Sequence, residues 1–252
     1  MSDATDQPRA AGEGLRVVVL VSGSGTNLQA LLDRLNFVPG APARVVRVLA
    51  SRPGIGALER AERAGVPTAV LPRAAFGERE GPGSSLCRAL LGELELARAG
   101  LVVLAGFLLR VPGPVVRAYR GRIINIHPAL LPGFGGPGMY GRRVHAAVLD
   151  AGARVTGVTV HFVDEEYDRG PIIAQWPVPV WEDDDEESLA ARVLEVEHRL
   201  LPEVVVAFAR GEVRLGDGGC RWERPWFAGS RFAFEGVGEG HPSPCGSATS
   251  EG

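Results

Sequence analysis

Three side chains suited to acyl-transfer chemistry stand in two short stretches of this chain. Asn125 and His127 end an apolar run, and Asp168 follows later in an acidic stretch that also contains glycine. An amide N–H donates to a developing oxyanion, and an imidazole moves a proton near neutral pH. A carboxylate beside the imidazole would favour its charged form and raise its pKa. The set predicts acyl-type chemistry on a small molecule.

A predicted strand over residues 121–126 gives Asn125 and His127 a common direction, because side chains at i and i+2 share one face of a strand. Both then lie at the carboxyl end of that strand, where open α/β sheets bind ligands. A lone histidine there is commonly satisfied by backbone groups, but the pairing with Asn125 favours a functional role. For Asp168 the residues alone favour a solvated turn, since Asp-Arg-Gly-Pro is ordinary turn chemistry.

A glycine-rich turn near the N-terminus has the features of an anion site. Residues 22–27 read Ser-Gly-Ser-Gly-Thr-Asn and join an apolar strand to a helix. Glycines let successive backbone N–H groups face one point, and the helix N-terminus adds partial positive charge. The turn is neither a Walker loop nor a full dinucleotide fingerprint. It predicts phosphate binding, with a tight turn capped by Asn27 as the alternative.

Three other ionisable residues are open to plainer interpretations. His161 alternates with apolar strand residues, and a structural hydrogen bond and a supporting role beside the site are equally open. His145 lies at a predicted helix start, where a solvated or capping role is favoured over catalysis. Glu197 lies inside a long predicted helix and, taken alone, reads as a surface salt-bridge residue.

Composition excludes several classes of protein. The chain has 252 residues, 45% hydrophobic and 23% charged, which is ordinary for a globular protein. A net charge of −3 gives no reason to expect a nucleic-acid or membrane surface. No apolar run reaches the ~18 residues that a membrane span requires. The three cysteines stand far apart without metal-like spacing, so we expect no metal and a reduced, cytoplasmic setting.

Strands alternating with helices through the first half of the chain predict an α/β fold with a parallel sheet and right-handed crossovers. The predicted strands cover residues 15–21, 45–50, 68–71, 101–105, 121–126, 157–163 and 172–180, and the predicted helices 28–35, 56–64, 86–99, 144–151 and 187–210. The last two strands are expected to be antiparallel to each other. The sequence thus predicts a Rossmann-like, mostly parallel sheet with helices on both faces and a mixed C-terminal part.

The chain divides into three predicted segments. Residues 1–14 are polar and rich in Gly and Ala, and they read as a disordered leader without a secretory signal. Residues 15–215 form the predicted domain. Residues 216–252 form a tail with scattered aromatic residues, partly packed on the domain and then disordered. The sequence leaves a monomer and a homodimer both open.

Five linked segments together resemble the phosphoribosylglycinamide formyltransferase family, the folate-dependent formyltransferases of purine biosynthesis. The segments, spread over residues 15–215, read VVVLVSGSGTNLQALL, VVLAGF, GRIINIHPALLP, TGVTVHFVDEEYDRGPII and ARVLEVEHRLLPEVV. Each is weak alone, and all five in order are specific. The resemblance implies a formyltransferase fold and transfer of a formyl group from 10-formyltetrahydrofolate to the amine of glycinamide ribonucleotide, in the route to IMP.

The resemblance also implies residue roles. Asn125, His127 and Asp168 match the catalytic trio, with His161 supporting them. The residues that match the nucleotide-binding positions are Gly25, Thr26, Asn27 and Glu197. The residues that match the folate-binding positions are Arg79, Leu108, Leu109, Arg110, Val111 and Asp164, within a pterin-lining segment, 108–111, and a folate loop, 164–168.

Two departures distinguish this chain from many members of the family. They carry Met-Arg where this chain has Leu108-Leu109, with Arg110 one place on. The glycine-rich loop over residues 133–141 is also longer than the Lys-Tyr-Pro-Gly type of loop common among them. Alternatives are a methionyl-tRNA formyltransferase, which normally has a further β domain, a formyltetrahydrofolate deformylase, which normally has a preceding regulatory domain, and a non-catalytic folate or nucleotide binder. The length of the chain and retention of the trio disfavour them.

Overall fold

The computed structural model describes residues 14–71 and 84–223, in which strands and helices alternate. The strands are β1 Leu15–Val21, β2 Ala43–Ala50, β3 Thr68–Val70, β4 Leu101–Leu104, β5 Ile123–His127, β6 Val155–Phe162, β7 Ile172–Pro179, β8 Val213–Gly216 and β9 Gly219–Trp222. The helices are α1 Thr26–Leu35, α2 Gly56–Arg63, α3 Ser85–Leu96, α4 Gly113–Ala118, α5 Arg142–Asp150 and α6 Glu186–Ala209. The predicted leader, apart from Gly14, and the tail beyond residue 223 lie outside the described residues.

Seven strands form one sheet in the order β3-β2-β1-β4-β5-β6-β7. The pairs from β3 through β5 are parallel, and β6 is antiparallel to both β5 and β7. The predicted mostly parallel sheet with a mixed C-terminal part is confirmed. None of the helices within the described ranges is both long and apolar enough to cross a bilayer.

The core lies on both faces of the sheet, as the apolar run of β1 requires. Val17 and Val19 face one core cluster, to which α1 and α6 contribute. Val18 and Leu20 face the other, to which α3 and α4 contribute. Since successive side chains of a strand alternate between faces, a strand apolar at every position needs helices above and below it. The predicted helices on both faces are confirmed.

Two elements were absent from the sequence prediction. Helix α4 has only six residues and starts after Pro112, and such a short segment shows no readable helical period. The hairpin of β8 and β9 spans the predicted boundary at residue 215, and its Trp222 Nε1 donates to the carbonyl oxygen of Ile173 at 3.0 Å. The start of the predicted tail is therefore packed against β7.

Candidate functional site

A cleft of about 600 Å³ lies at the carboxyl ends of β4 and β5. Leu104 ends the first of these strands, and His127 ends the second. The position agrees with the rule that open α/β sheets bind ligands beyond the carboxyl ends of their strands. Its volume lies within the range of small-molecule sites, roughly 300–1,000 Å³.

The cleft brings together most of the residues singled out in the sequence. They are Asn27, Leu108, Leu109, Arg110, Val111, Asn125, His127, His161, Asp164, Asp168 and Glu197. Gly25 and Thr26 are not among the lining residues, although they adjoin Asn27 in the turn that opens α1. Arg79 lies outside the described residues. Within the described ranges, no group of three or more metal-binding side chains is found.

Antiparallel pairing of β5 with β6 sets Asn125 directly opposite His161. The Asn125 Nδ2 atom lies 3.1 Å from His161 Nε2 and donates to Asp168 Oδ1 at 3.4 Å. His161 Nδ1 lies 2.8 Å from the carbonyl oxygen of Phe162, which can only accept. That contact places the proton on Nδ1 and leaves Nε2 to accept from the amide. His161 therefore orients the amide of Asn125.

His127 is buried at the end of β5, between a backbone carbonyl and a carboxylate. Its Nε2 lies 2.8 Å from the carbonyl oxygen of Phe134, and its Nδ1 lies 3.8 Å from Asp168 Oδ2. Burial lowers the pKa of His127 below its ordinary value, and the opposing effects of Asp168 and Phe134 do not restore it. Asp168 does raise this pKa, as expected, but desolvation outweighs the favourable charge and the net shift is downward.

Asp168 is held inward by the loop between β6 and β7. Its backbone is left-handed, with φ at +53°, and its side chain is only 12% exposed. Burial raises the pKa of Asp168, but the nearby imidazole of His161, the hydrogen bond from the Gly136 N–H and the charges on His127 and His161 together lower it below its ordinary value. His161 Nε2 lies 3.6 Å from Asp168 Oδ1. The Gly136 N–H donates to Oδ2 at 2.9 Å. The solvated turn favoured by the residues alone is therefore wrong.

Gly170 allows this loop to return against β6, and replacing it with alanine should destabilise the fold. A Cβ there would overlap the carbonyl oxygen of Phe162, which is backbone and cannot move aside cheaply. We expect Gly170→Ala to lower the free energy of unfolding by about 1–3 kcal/mol or more, measured by urea denaturation. Gly92→Ala is the control, because a Cβ on that α3 residue meets nothing within 4 Å. Equal effects of the two variants would contradict the prediction.

Helices α1 and α6 form one side of the cleft, where Asn27 and Glu197 line it. Gly25 precedes α1 with φ at +76°, and a Cβ there would lie 2.7 Å from the Cα of Ala57. Asn27 does not cap the helix; its Nδ2 donates to Glu197 Oε2 at 2.7 Å. Asn27 Oδ1 is buried without a hydrogen-bond partner among the described residues. The predictions that Asn27 caps α1 and that Glu197 forms a surface salt bridge are therefore wrong.

Glu197 is 7% exposed, and burial raises its pKa to about 7 despite the opposing hydrogen bond from Asn27. Because the pKa is higher in the folded than in the unfolded state, neutral Glu197 stabilises the fold fully below about pH 4.5. That stabilisation is lost as the pH rises through about 7. At about 1.4 kcal/mol per unit of pKa, the full effect is about 3 kcal/mol.

The variant Glu197→Gln cannot titrate and should escape this loss. We expect the wild type to lose about 3 kcal/mol of unfolding free energy relative to the variant between pH ~4.5 and pH ~8, measured by urea denaturation at each pH. Glu203→Gln serves as control, since it removes a half-exposed carboxylate of α6 that pairs with Arg34. A wild-type-to-variant difference that is constant with pH would contradict the prediction.

His145 also lines the cleft, contrary to the solvated or capping role predicted for it. It is 5% exposed, so a solvated role is excluded, and burial, followed by the charge on His127, lowers its pKa. Its Nδ1 has no hydrogen-bond partner within the described part of the chain. The sequence offered one sign of this burial: His145 lies near Val144 and Val148, and all three are buried on α5.

Residues 108–111, which the family resemblance assigns to the pterin, follow β4 and line the cleft. The Leu108 N–H donates to Ser22 Oγ at 3.0 Å, while the Leu108 side chain is exposed. Arg110 Nη2 donates to the Glu165 carbonyl oxygen at 2.6 Å, and the guanidinium carbon lies 5.7 Å from the centre of the Tyr167 ring. The arginine displaced by one place thus connects this segment to the loop that carries Asp168.

Comparisons with known proteins agree with this architecture. The formyl transferase family model matches residues 15–205. A crystal structure of glycinamide ribonucleotide transformylase 1 from Symbiobacterium toebii aligns with a TM-score of 0.74 at 39% identity, covering 87% of this chain and 99% of that one. The phosphoribosylglycinamide formyltransferase of Escherichia coli is 37% identical over 224 residues, which are 88% of this chain and 98% of that protein.

Some relatives are much longer than this chain. The trifunctional purine biosynthetic protein adenosine-3 of Gallus gallus is 43% identical over 205 residues, and the match spans 81% of this chain but only 19% of that protein. The match to full-length bacterial proteins, together with the family model and the shared fold, settles the relationship. The chain belongs to the formyl transferase family and, within it, to the phosphoribosylglycinamide formyltransferases.

Proposed function

We propose that the chain transfers a formyl group from 10-formyltetrahydrofolate to the amine of glycinamide ribonucleotide in purine biosynthesis. One observation carries the proposal: an amide, an imidazole and an ionised carboxylate meet at the floor of one cleft. Asn125, His127 and Asp168 are joined there by contacts of 3.4 and 3.8 Å. Relatives whose names state this activity match almost their whole length to the chain.

The two reactants occupy opposite ends of the cleft. The nucleotide phosphate lies at the start of α1, near the backbone of Gly25, Thr26 and Asn27, and Glu197 contacts the same substrate. The folate lies along the pterin-lining segment, with Asp164 beside it. The family resemblance also assigns Arg79 to the folate, and that residue lies outside the described residues. Asn27 Oδ1 supports placing the nucleotide here, because this buried acceptor, unpartnered among the described residues, is satisfied when a hydroxyl or N–H group of the nucleotide donates to it. Holding both reactants within attack distance removes much of the entropic cost of their encounter.

The amine then attacks the formyl carbon, and negative charge develops on the formyl oxygen. Asn125 Nδ2 donates to that oxygen. Its bond to Asp168 Oδ1 is long, at 3.4 Å, so this N–H is the one available for transfer to the substrate. Its bond to His161 is shorter, at 3.1 Å, and keeps the amide oriented while the charge develops.

The proton released by the amine passes to the pair of His127 and Asp168. In neutral His127 the Nε2–H donates to Phe134, so the lone pair of Nδ1 faces Asp168 Oδ2 across 3.8 Å. The charge of Asp168 stabilises the imidazolium that forms when Nδ1 takes up this proton. The resulting imidazolium is then the donor that returns a proton to the leaving folate nitrogen, directly or through water. Asp168 thus sustains a charged form that burial otherwise disfavours.

The test is the absorbance change that accompanies formation of the folate product, with and without glycinamide ribonucleotide. We expect product only when the nucleotide is present. Product without the nucleotide would indicate a hydrolase, as in the deformylases. Binding of both ligands without product would indicate a non-catalytic sensor, and either result would refute the proposal.

We also propose a reducing, cytoplasmic setting for this reaction. Within the described ranges, Cys87 and Cys220 are both free thiols. Cys87 is buried on the face of α3 that packs in the core, where it behaves as a small apolar residue.

Size-exclusion chromatography with light scattering distinguishes the monomer from the homodimer that the sequence leaves open.

A further inference from the structure

Two buried serine hydroxyls connect the ends of neighbouring strands behind the cleft. Ser22 follows β1 and is 3% exposed, and Ser51 follows β2 and is 7% exposed. The Ser51 hydroxyl donates to Ser22 Oγ at 2.8 Å, and the Ser51 backbone N–H donates to the Val21 carbonyl oxygen at 3.0 Å. Both serines lie outside the set of residues that line the cleft. Any effect of the two serines on a bound ligand must therefore pass through another residue.

That group is the backbone of the pterin-lining segment. Ser22 Oγ accepts a second hydrogen bond, from the Leu108 N–H at 3.0 Å. A serine oxygen has two lone pairs, so both bonds are made at once. The Leu108 side chain is exposed and supplies little packing to fix its own position. The hydroxyl is thus a fixed contact at the point where the chain leaves β4 and enters the cleft.

We propose that Ser22, held in place by Ser51, is a positioning residue for the folate side of the cleft. The proposal rests on the proposed function, since it assigns the segment after Leu108 to the folate. The chain leads from β1 through Ser22 into the phosphate turn, whereas the hydrogen bond of Ser22 leads to the folate segment. Sequence neighbourhood therefore predicts a nucleotide defect on mutation, and the structure predicts a folate defect.

The test compares Ser22→Ala with the wild type in steady-state kinetics and in binding. We expect the KM for 10-formyltetrahydrofolate to rise about tenfold, as loss of a hydrogen bond that leaves an N–H unpaired implies. The KM for glycinamide ribonucleotide should stay within about twofold, since the hydrogen bonds of Ser22 join it to Ser51 and Leu108 and to none of the residues assigned to the nucleotide. Ser22→Cys keeps a weak acceptor and should restore part of the loss.

Ser51→Ala removes only the supporting bond and should give a smaller change in the same direction. Because the two hydroxyls act in series, the double variant should match Ser22→Ala alone. Thr156→Val is the matched control, since Thr156 is 1% exposed on β6 and its hydroxyl has no partner among the described residues. It should leave both KM values unchanged.

Titration calorimetry with tetrahydrofolate and with glycinamide ribonucleotide separates this proposal from the proposed function. If the wild type binds both ligands but makes no product, the proposed function is refuted. The positioning role is then still tested by comparing the affinities of Ser22→Ala and the wild type for tetrahydrofolate. Equal weakening of both ligands, or a weakening matched by Thr156→Val, overturns the positioning role. So does an unchanged affinity for tetrahydrofolate. If Ser22→Ala does not fold, Ser51→Ala decides by the same criteria.

Discussion

Replacing Asp168 with asparagine should lower kcat by about 10²–10⁴, the range attributed to general acid–base catalysis, and change nucleotide affinity little. Asparagine has the same shape, tolerates the left-handed backbone at φ +53°, and keeps an oxygen that accepts from the Gly136 N–H. It loses the negative charge facing His127 and the second oxygen, which accepts the long hydrogen bond from Asn125 Nδ2. Without that charge, burial outweighs the remaining support from the Phe134 carbonyl, and the protonated imidazole becomes too rare to serve the leaving group.

Steady-state kinetics and calorimetry with glycinamide ribonucleotide measure the two quantities separately. Asp33→Asn is the matched control, since it removes an exposed carboxylate of α1 that accepts from Gln29 in the same helix and does not line the cleft. That variant should keep wild-type kcat. An Asp168→Asn protein with unchanged kcat would remove this carboxylate from the mechanism. A loss confined to nucleotide affinity would reassign it to binding.

Asn125→Ala should lower kcat by about 10²–10³, the loss typical of removing one oxyanion donor. The Asn125 amide donates to His161 Nε2 at 3.1 Å and to Asp168 Oδ1 at 3.4 Å. Its removal leaves His161 Nε2 without its neighbour, so some loss of stability is expected as well. The activity loss should nevertheless exceed what the stability change explains.

A second asparagine separates these two effects. Asn36 bonds the backbone N–H and carbonyl oxygen of Val45, both at 2.9 Å, and does not line the cleft. Asn36→Ala should lower the melting temperature while kcat at a permissive temperature stays near the wild type. If Asn125→Ala and Asn36→Ala lower kcat equally, the amide of Asn125 has no specific part in the reaction.

The sheet was predictable because its signals are local. Runs apolar at every position, such as β1, can only be buried on both faces, and glycines and prolines mark where most of the strands end. The same locality explains what was missed. Helix α4 is too short for a helical period to appear. The β8–β9 hairpin is held by pairing and by the contact of Trp222 with Ile173, which no sequence window spans.

The convergence of the predicted residues at one cleft was predictable, but their electrostatics were not. The spacing of Asn125 and His127 placed them on one face, and the family resemblance added Asp168. Burial could not be read from spacing. The carboxylate was correctly expected to raise the pKa of His127, but the larger lowering by burial was missed, and Glu197 was placed at the surface. His145 was missed for the same reason, because it enters the cleft through the tertiary packing of α5.

The antiparallel register of β5 and β6 makes the centre of the molecule intolerant of length changes. Asn125 faces His161 because the two strands align residue by residue. Inserting or deleting one residue within β6 would turn His161 to the opposite face of the sheet and bring an apolar neighbour beside the amide. Engineering that lengthens or shortens the chain is therefore best directed to surface connections such as the turn formed by Asp217 and Gly218, well away from this ladder.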